Sequence, residues 1–173
     1  LLASGTWAPS LSAVNTQSSG KDQSKLNLEL LFDDDEDDNF FHRRAILKSG
    51  WVASVAECPN GAEALDFLPL QGSYQKGQNT YPKPELIFLD INMPKMNGWE
   101  FLEEYNKLDM AYRGGPVVAM LTSSPNDRDR QRALAYDFVL AYLTKPLTQS
   151  AFENIHKKYI TSPKTWKTYL LTL

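Results

Sequence analysis

A chain of 173 residues is ample for one packed domain and marginal for two. Its composition, 42% apolar and 23% charged with a formal net charge of −3, is ordinary for a globular protein and argues against nucleic acid or an anionic membrane as a partner. No apolar run reaches the ~18 residues of a membrane span, and the single cysteine, Cys58, rules out an internal disulfide and fits a reducing, cytoplasmic setting.

Residues 1–25 are rich in Ser, Gly, Asn and Gln and have little periodicity, which predicts a flexible N-terminal tail. Order is expected from Leu26. The run Leu26–Phe32 reads as a strand that ends in acids, and 36–48 reads as a helix with Phe40, Phe41, Ile46 and Leu47 apolar and Gly50 as its stop. Trp51–Ala56 reads as a second strand. Asn60 with Glu63 has the spacing of a capping box, followed by Ala64, Leu65 and Leu68 at helical spacing. Residues 70–84 carry Gly, Gln and Pro and predict a long loop. Leu86–Leu89 is wholly apolar and runs into Asp90. A second capping pattern, Asn97 with Glu100, opens a helix bearing Phe101, Leu102, Tyr105 and Leu108. Val117–Leu121 is a fourth strand, ending at Thr122, and a polar helix runs from about Asp127 to Tyr136. Val139–Leu143 is a fifth strand, ending near Lys145. Thr148 can cap a last helix with Ala151, Phe152, Ile155 and Tyr159 on one face.

Strand and helix thus alternate five times. Apolar runs without internal alternation suit strands buried on both faces. Alternating units of this kind predict an α/β fold, a doubly wound five-stranded parallel sheet with helices on both sides.

In such sheets ligands bind beyond the carboxyl ends of the strands. Polar residues stand just past four of those ends: Asp33 and Asp34 after the first strand, Asp90 after the third, Thr122 and Ser123 after the fourth, Lys145 after the fifth. Two carboxylates ~4 Å apart repel by about 4 kcal/mol at an effective dielectric of ~20. A raised pKa, a cation or a metal must relieve that. Oxygen ligands favour Mg²⁺, which binds through one or two carboxylates, water and phosphate oxygens. A carboxylate can also attack phosphorus and form an aspartyl phosphate. Positioning and charge neutralisation then carry most of phosphoryl transfer.

The segment Leu86-Ile87-Phe88-Leu89-Asp90-Ile91-Asn92-Met93-Pro94-Lys95-Met96-Asn97-Gly98 resembles the phosphoacceptor segment of CheY-like response-regulator receiver domains. Phe32-Asp33-Asp34-Asp35 resembles their acidic pair, Met120-Leu121-Thr122-Ser123-Ser124 their switch hydroxyl, and Tyr142-Leu143-Thr144-Lys145-Pro146 their switch aromatic and lysine. The resemblance covers about residues 26–160. It implies a flavodoxin-like sheet of strand order 2-1-3-4-5 and a single-domain two-component response regulator, flanked by the tail 1–25 and a C-terminal tail 161–173. It implies phosphorylation of Asp90, Mg²⁺ held by Asp33, Asp34, Asp90 and the carbonyl of Asn92, and Lys145 on the phosphoryl oxygens. Thr122 would hydrogen-bond the phosphoryl group, with Ser123 able to share that role, and Tyr142 would move inward with it. Lys145–Pro146 is expected to be cis. The implied partners are a sensor histidine kinase or a histidine phosphotransfer protein and an unspecified downstream protein, with output through a protein–protein contact.

Several positions allow more than one reading. Asp35 could replace Asp34 as ligand if the first strand is one residue longer. Asp37 and Asp38 read as a solvated helix start favoured by the macrodipole. His42 and His156 sit in amphipathic helices and lie at no strand end, which argues against a phosphohistidine. Trp166, Tyr169, Leu170 and Leu171 could form a docking segment. The chain is expected to act on nothing but its own phosphorylation state. Rival readings are a pseudo-receiver that binds a partner constitutively, whose signature would be loss of the acids or the lysine, and an aspartyl-phosphate phosphatase, for which Asn92 stands where a second Asp would be needed.

Overall fold

The structure, a computed structural model, describes residues 10–13, 26–68, 84–109 and 117–161. The loop expected at 70–84 and the tail expected at 161–173 lie almost wholly outside them. The strands are β1 (Ser10–Ala13), β2 (Glu29–Phe32), β3 (Ser54–Cys58), β4 (Leu86–Asp90), β5 (Val117–Thr122) and β6 (Val139–Thr144). The helices are α1 (Glu36–Ser49), α2 (Gly61–Phe67), α3 (Gly98–Lys107), α4 (Asp127–Leu134) and α5 (Gln149–Thr161). No helix among the described residues is long and apolar enough to cross a membrane.

The sheet runs β1-β3-β2-β4-β5-β6. From β3 to β6 every pairing is parallel, so the five expected strands stand in the order 2-1-3-4-5. The uninterrupted apolar runs have a direct cause. Successive side chains of a strand point to opposite faces, and both faces are covered. Leu30, Phe32, Ile87, Leu89 and Met120 face one way and pack with Phe67, Phe101 and Tyr105 of α2 and α3. Leu31, Phe88 and Leu121 face the other way and pack with Ile46 of α1 and with Phe152 and Ile155 of α5.

Three expectations are corrected. Residues 10–13, assigned to a flexible tail, form β1, which pairs antiparallel with β3 from Ser10↔Glu57 to Ala13↔Ser54. The second strand lies two to three residues later than expected, at Ser54–Cys58. Trp51 and Val52 instead lead into it, with a single bridge from Val52 to Leu26. Helix α1 is turned from the face its apolar residues suggest: Phe40 and Phe41 are 49% and 55% exposed, while Asn39, His42 and Ile46, at i, i+3 and i+7, are buried.

The helix ends are set locally. In α3 the Asn97 side chain accepts from the Trp99 and Glu100 amides while the Glu100 carboxylate accepts from the Asn97 amide, a complete capping box. The Asn60 side chain caps α2 on the Glu63 amide, and Thr148 Oγ1 accepts from the Ala151 amide at the start of α5. Each cap turns the chain sharply at the carboxyl edge of the sheet, where the polar strand ends gather.

Candidate functional site

Strand β2 ends at Phe32, and Asp33 and Asp34 come next. Asp33 is buried and Asp34 exposed. The loop is tied down by hydrogen bonds rather than length. The Asp35 amide donates to Asp33 Oδ1 (3.1 Å), and Asn39 Nδ2 of α1 donates to the Asp33 carbonyl (2.9 Å). Asp35 itself is the N-cap of α1, accepting from the Asp37 and Asp38 amides. That commitment separates it from its two predecessors, whose carboxylates turn toward β4.

Asp90, the last residue of β4, is 4% exposed. Its Oδ2 accepts from the Asn92 amide at 3.1 Å. Gly98 packs directly behind it: a Cβ there would stand 2.5 Å from the Asp90 carbonyl oxygen and 2.9 Å from Ile91 Cα, so only glycine fits. Carboxylate oxygens of Asp33, Asp34 and Asp90 all lie within 4.8 Å of one another.

Lys145 supplies the positive charge. Its amide donates to the Thr122 carbonyl at 2.8 Å, and the Lys145–Pro146 peptide is cis. Its Nζ lies 2.7 Å from Asp33 Oδ2, 3.1 Å from Asp90 Oδ1 and 2.8 Å from Asp38 Oδ2. Burial works against the ammonium charge, but the bonds and fields of Asp33, Asp38 and Asp90 outweigh it and hold the Lys145 pKa above its ordinary value. Burial likewise pushes the Asp33 carboxyl up to about 6, even though Lys145 pulls the other way.

Thr122 closes the site on the far side. It is 2% exposed, and its hydroxyl accepts from the Ser124 amide. Ser123 beside it faces solvent. A cavity of about 280 Å³ opens where the chain leaves β4 and β5, with Asn92, Trp99, Thr122 and Ser124 in its wall. Tyr142 is buried at 3% exposure, its hydroxyl has no hydrogen-bond partner among the described residues, and Arg130 lies over its ring at 5.5 Å.

Two residues of this region make contacts that the sequence did not announce. Asp38 is not simply a solvated helix start, since it accepts a hydrogen bond from Lys145. His42, one turn further along α1, is fully buried with its Nδ1 3.8 Å from Asp33 Oδ2. Burial lowers its pKa and so disfavours a charged ring behind the acids. The i, i+4 spacing of Asp38 and His42 could have placed both on the inward face of α1. The apolar weight of Phe40 and Phe41 pointed the other way.

The response regulator receiver domain family matches residues 30–157. The chain belongs to that family. Among curated proteins, this receiver is similar to the probable methanogenesis regulatory protein FilR2 of Methanothrix harundinacea, 31% identical over 128 residues, or 74% of this chain and 76% of that one. Among solved structures, a two-component response regulator from Cytophaga hutchinsonii superposes with a TM-score of 0.70 at 30% identity, covering 80% of this chain and 99% of the other. The Mn²⁺-bound form of response regulator Rcp1 superposes with a TM-score of 0.56 at 29% identity, covering 76% and 91%. Some relatives are far longer: the receiver spans 11% of histidine kinase CKI1 of Arabidopsis thaliana and 16% of sensor histidine kinase CheAY of Helicobacter pylori. These likenesses identify a receiver of two-component signalling, and the acidic cluster together with the Mn²⁺-bound relative points to a divalent metal.

Proposed function

We propose that this receiver is a phosphorylation switch whose acceptor is Asp90 and whose metal is Mg²⁺. The observation that carries the reading is the position of Lys145, which reaches both Asp33 and Asp90 while the carboxylates of Asp33, Asp34 and Asp90 stand within 4.8 Å of each other. The donor set fits a hard cation. It is all oxygen, and its three carboxylates face a single ammonium, which leaves negative charge in excess. Asp33, Asp34, Asp90 and the carbonyl of Asn92 would hold the ion, which when bound supplies charge neutralisation for phosphoryl oxygens.

In this reading the protein's own residues have the following parts. An Asp90 oxygen forms the new O–P bond while the bond from phosphorus to the donor's leaving nitrogen or oxygen breaks and its electron pair leaves with the donor. Lys145 balances the charge on the phosphoryl oxygens. The Thr122 hydroxyl, held by the Ser124 amide, is the group that can turn to the bound phosphoryl. Ser123, being exposed, is the weaker candidate for that role. Tyr142, buried beside β5 with Arg130 over its ring, is the element that would switch, and its face would carry the output to a downstream protein. The phosphoryl donor in this reading is a sensor histidine kinase or a histidine phosphotransfer protein. The setting is cytoplasmic, in keeping with the free, buried Cys58.

Intact-mass spectrometry after incubation with Mg²⁺ and acetyl phosphate tests this directly. One added phosphoryl group is expected, lost in Asp90→Asn and without Mg²⁺. If the protein gains no mass and also fails to bind beryllofluoride with Mg²⁺, phosphorylation is wrong and a constitutive binding module takes its place.

A further inference from the structure

We infer that Asp38 is a positioning residue which restrains Lys145 and thereby sets how readily Asp90 is phosphorylated. The inference rests on the phosphoacceptor reading above. A lysine ammonium has three N–H donors. Around Lys145 three carboxylates, those of Asp33, Asp38 and Asp90, already lie within 3.1 Å, and Asp38 takes a well-formed hydrogen bond. An arriving phosphoryl oxygen needs one of those donors, so one contact has to be given up.

The three are not equally easy to release. The Asp33 side chain is 2% exposed, and stripping it of its counter-ion would leave a buried charge uncompensated. Asp90 is itself the group that receives the phosphoryl, so Lys145 stays beside it. The Asp38 side chain is 34% exposed, and water can replace the ammonium there at small cost. Asp38 is therefore the partner that Lys145 leaves on loading and regains when the phosphoryl group is lost. It acts through Lys145 and touches no reacting atom. Its attachment to α1 also makes the Lys145–Asp38 bond a link between the start of that helix and the end of β6.

Asp38 competes with the phosphoryl group for Lys145, so removing its charge should favour loading. With Asp38→Asn, the rate of phosphorylation by acetyl phosphate at low donor concentration and saturating Mg²⁺ should rise about fivefold. The concentration of beryllofluoride needed for half-saturation should fall by a similar factor. Asp37→Asn removes the same charge one residue away, from an exposed side chain outside the Lys145 contacts, and should change either quantity less than about twofold. Asp38→Glu should return both toward wild type. Urea midpoints of the variants check that the fold is kept. Equal effects of Asp38→Asn and Asp37→Asn, or slower loading in Asp38→Asn, would overturn the role given to Asp38. A wild-type protein that neither gains mass nor binds beryllofluoride would instead remove the phosphoacceptor reading itself.

Discussion

Strand β2 carries a buried acid near each of its ends, and the two are handled in opposite ways. At the carboxyl end Asp33 is 2% exposed and has Lys145 at 2.7 Å, with two further acids close by. At the amino end Glu29 is fully buried, and neither carboxylate oxygen has a hydrogen-bond partner among the described residues. Burial pushes the Glu29 pKa well above 4.5, and the nearby charge of Glu85 pushes it further. The contrast separates two solutions to one problem. A buried acid can keep its charge when a cation is built in beside it, or it can keep its proton. Only the first leaves a charged oxygen available for chemistry, and it lies at the edge where ligands bind in folds of this class.

The largest test of this contrast removes the cation. Lys145→Met should lower stability by about 3 kcal/mol at neutral pH without divalent metal, because Asp33 loses its counter-charge. Added Mg²⁺ should recover part of the loss. Urea unfolding reads both, and an unchanged midpoint would mean that Asp33 is not ionised beside Lys145.

At the other end the lever is pH. Below 4.5 the folded and unfolded chains both carry the Glu29 proton, and this group gives no pH dependence. As pH rises the unfolded chain releases its proton while the folded chain keeps it. Wild-type stability therefore falls relative to Glu29→Gln by about 1.4 kcal/mol per pH unit, until the folded carboxyl ionises too. Urea unfolding of both proteins from about pH 4 to 8 checks this, and a constant gap would rule out a retained proton. The smallest effect belongs to Glu85, whose carboxylate accepts from the Asn27 amide and Nδ2. Glu85→Gln removes a like charge while leaving an acceptor for both, and should flatten the pH dependence by a few tenths of a kcal/mol, about the scale of exposed charge pairs.

The parts of the fold that could be read in the sequence are those fixed by local pattern. Leu86–Leu89 and Val117–Leu121 announce strands without internal alternation, and Asn97 with Glu100 announces its cap. The site residues could be read because alternation of strand and helix forces every strand end to the same edge, which gathers Asp33, Asp34, Asp90, Thr122 and Lys145 with no knowledge of distance. What could not be read depends on contacts between remote segments. Asp38 meets Lys145 across 107 residues of chain, and an acid in the first turn of a helix has an adequate local explanation without it. Glu29 stands between Leu28 and Leu30-Leu31-Phe32, and nothing local marks it as buried. Strand β1 exists through its ladder to β3, and Ser10-Leu11-Ser12-Ala13 has little strand character of its own.

That short strand has a topological consequence. A sheet edge displays a row of unpaired amide and carbonyl groups that other extended chains can join. By lying antiparallel along β3, residues 10–13 fill that row and themselves become one margin of the sheet, with β6 the other margin among the described residues. The edge presented on that side is then only four residues long, against six in β6, so a further strand finds the longer template at β6. Hydrogen exchange should find the β3 amides shielded on both sides and the outward amides of β6 open.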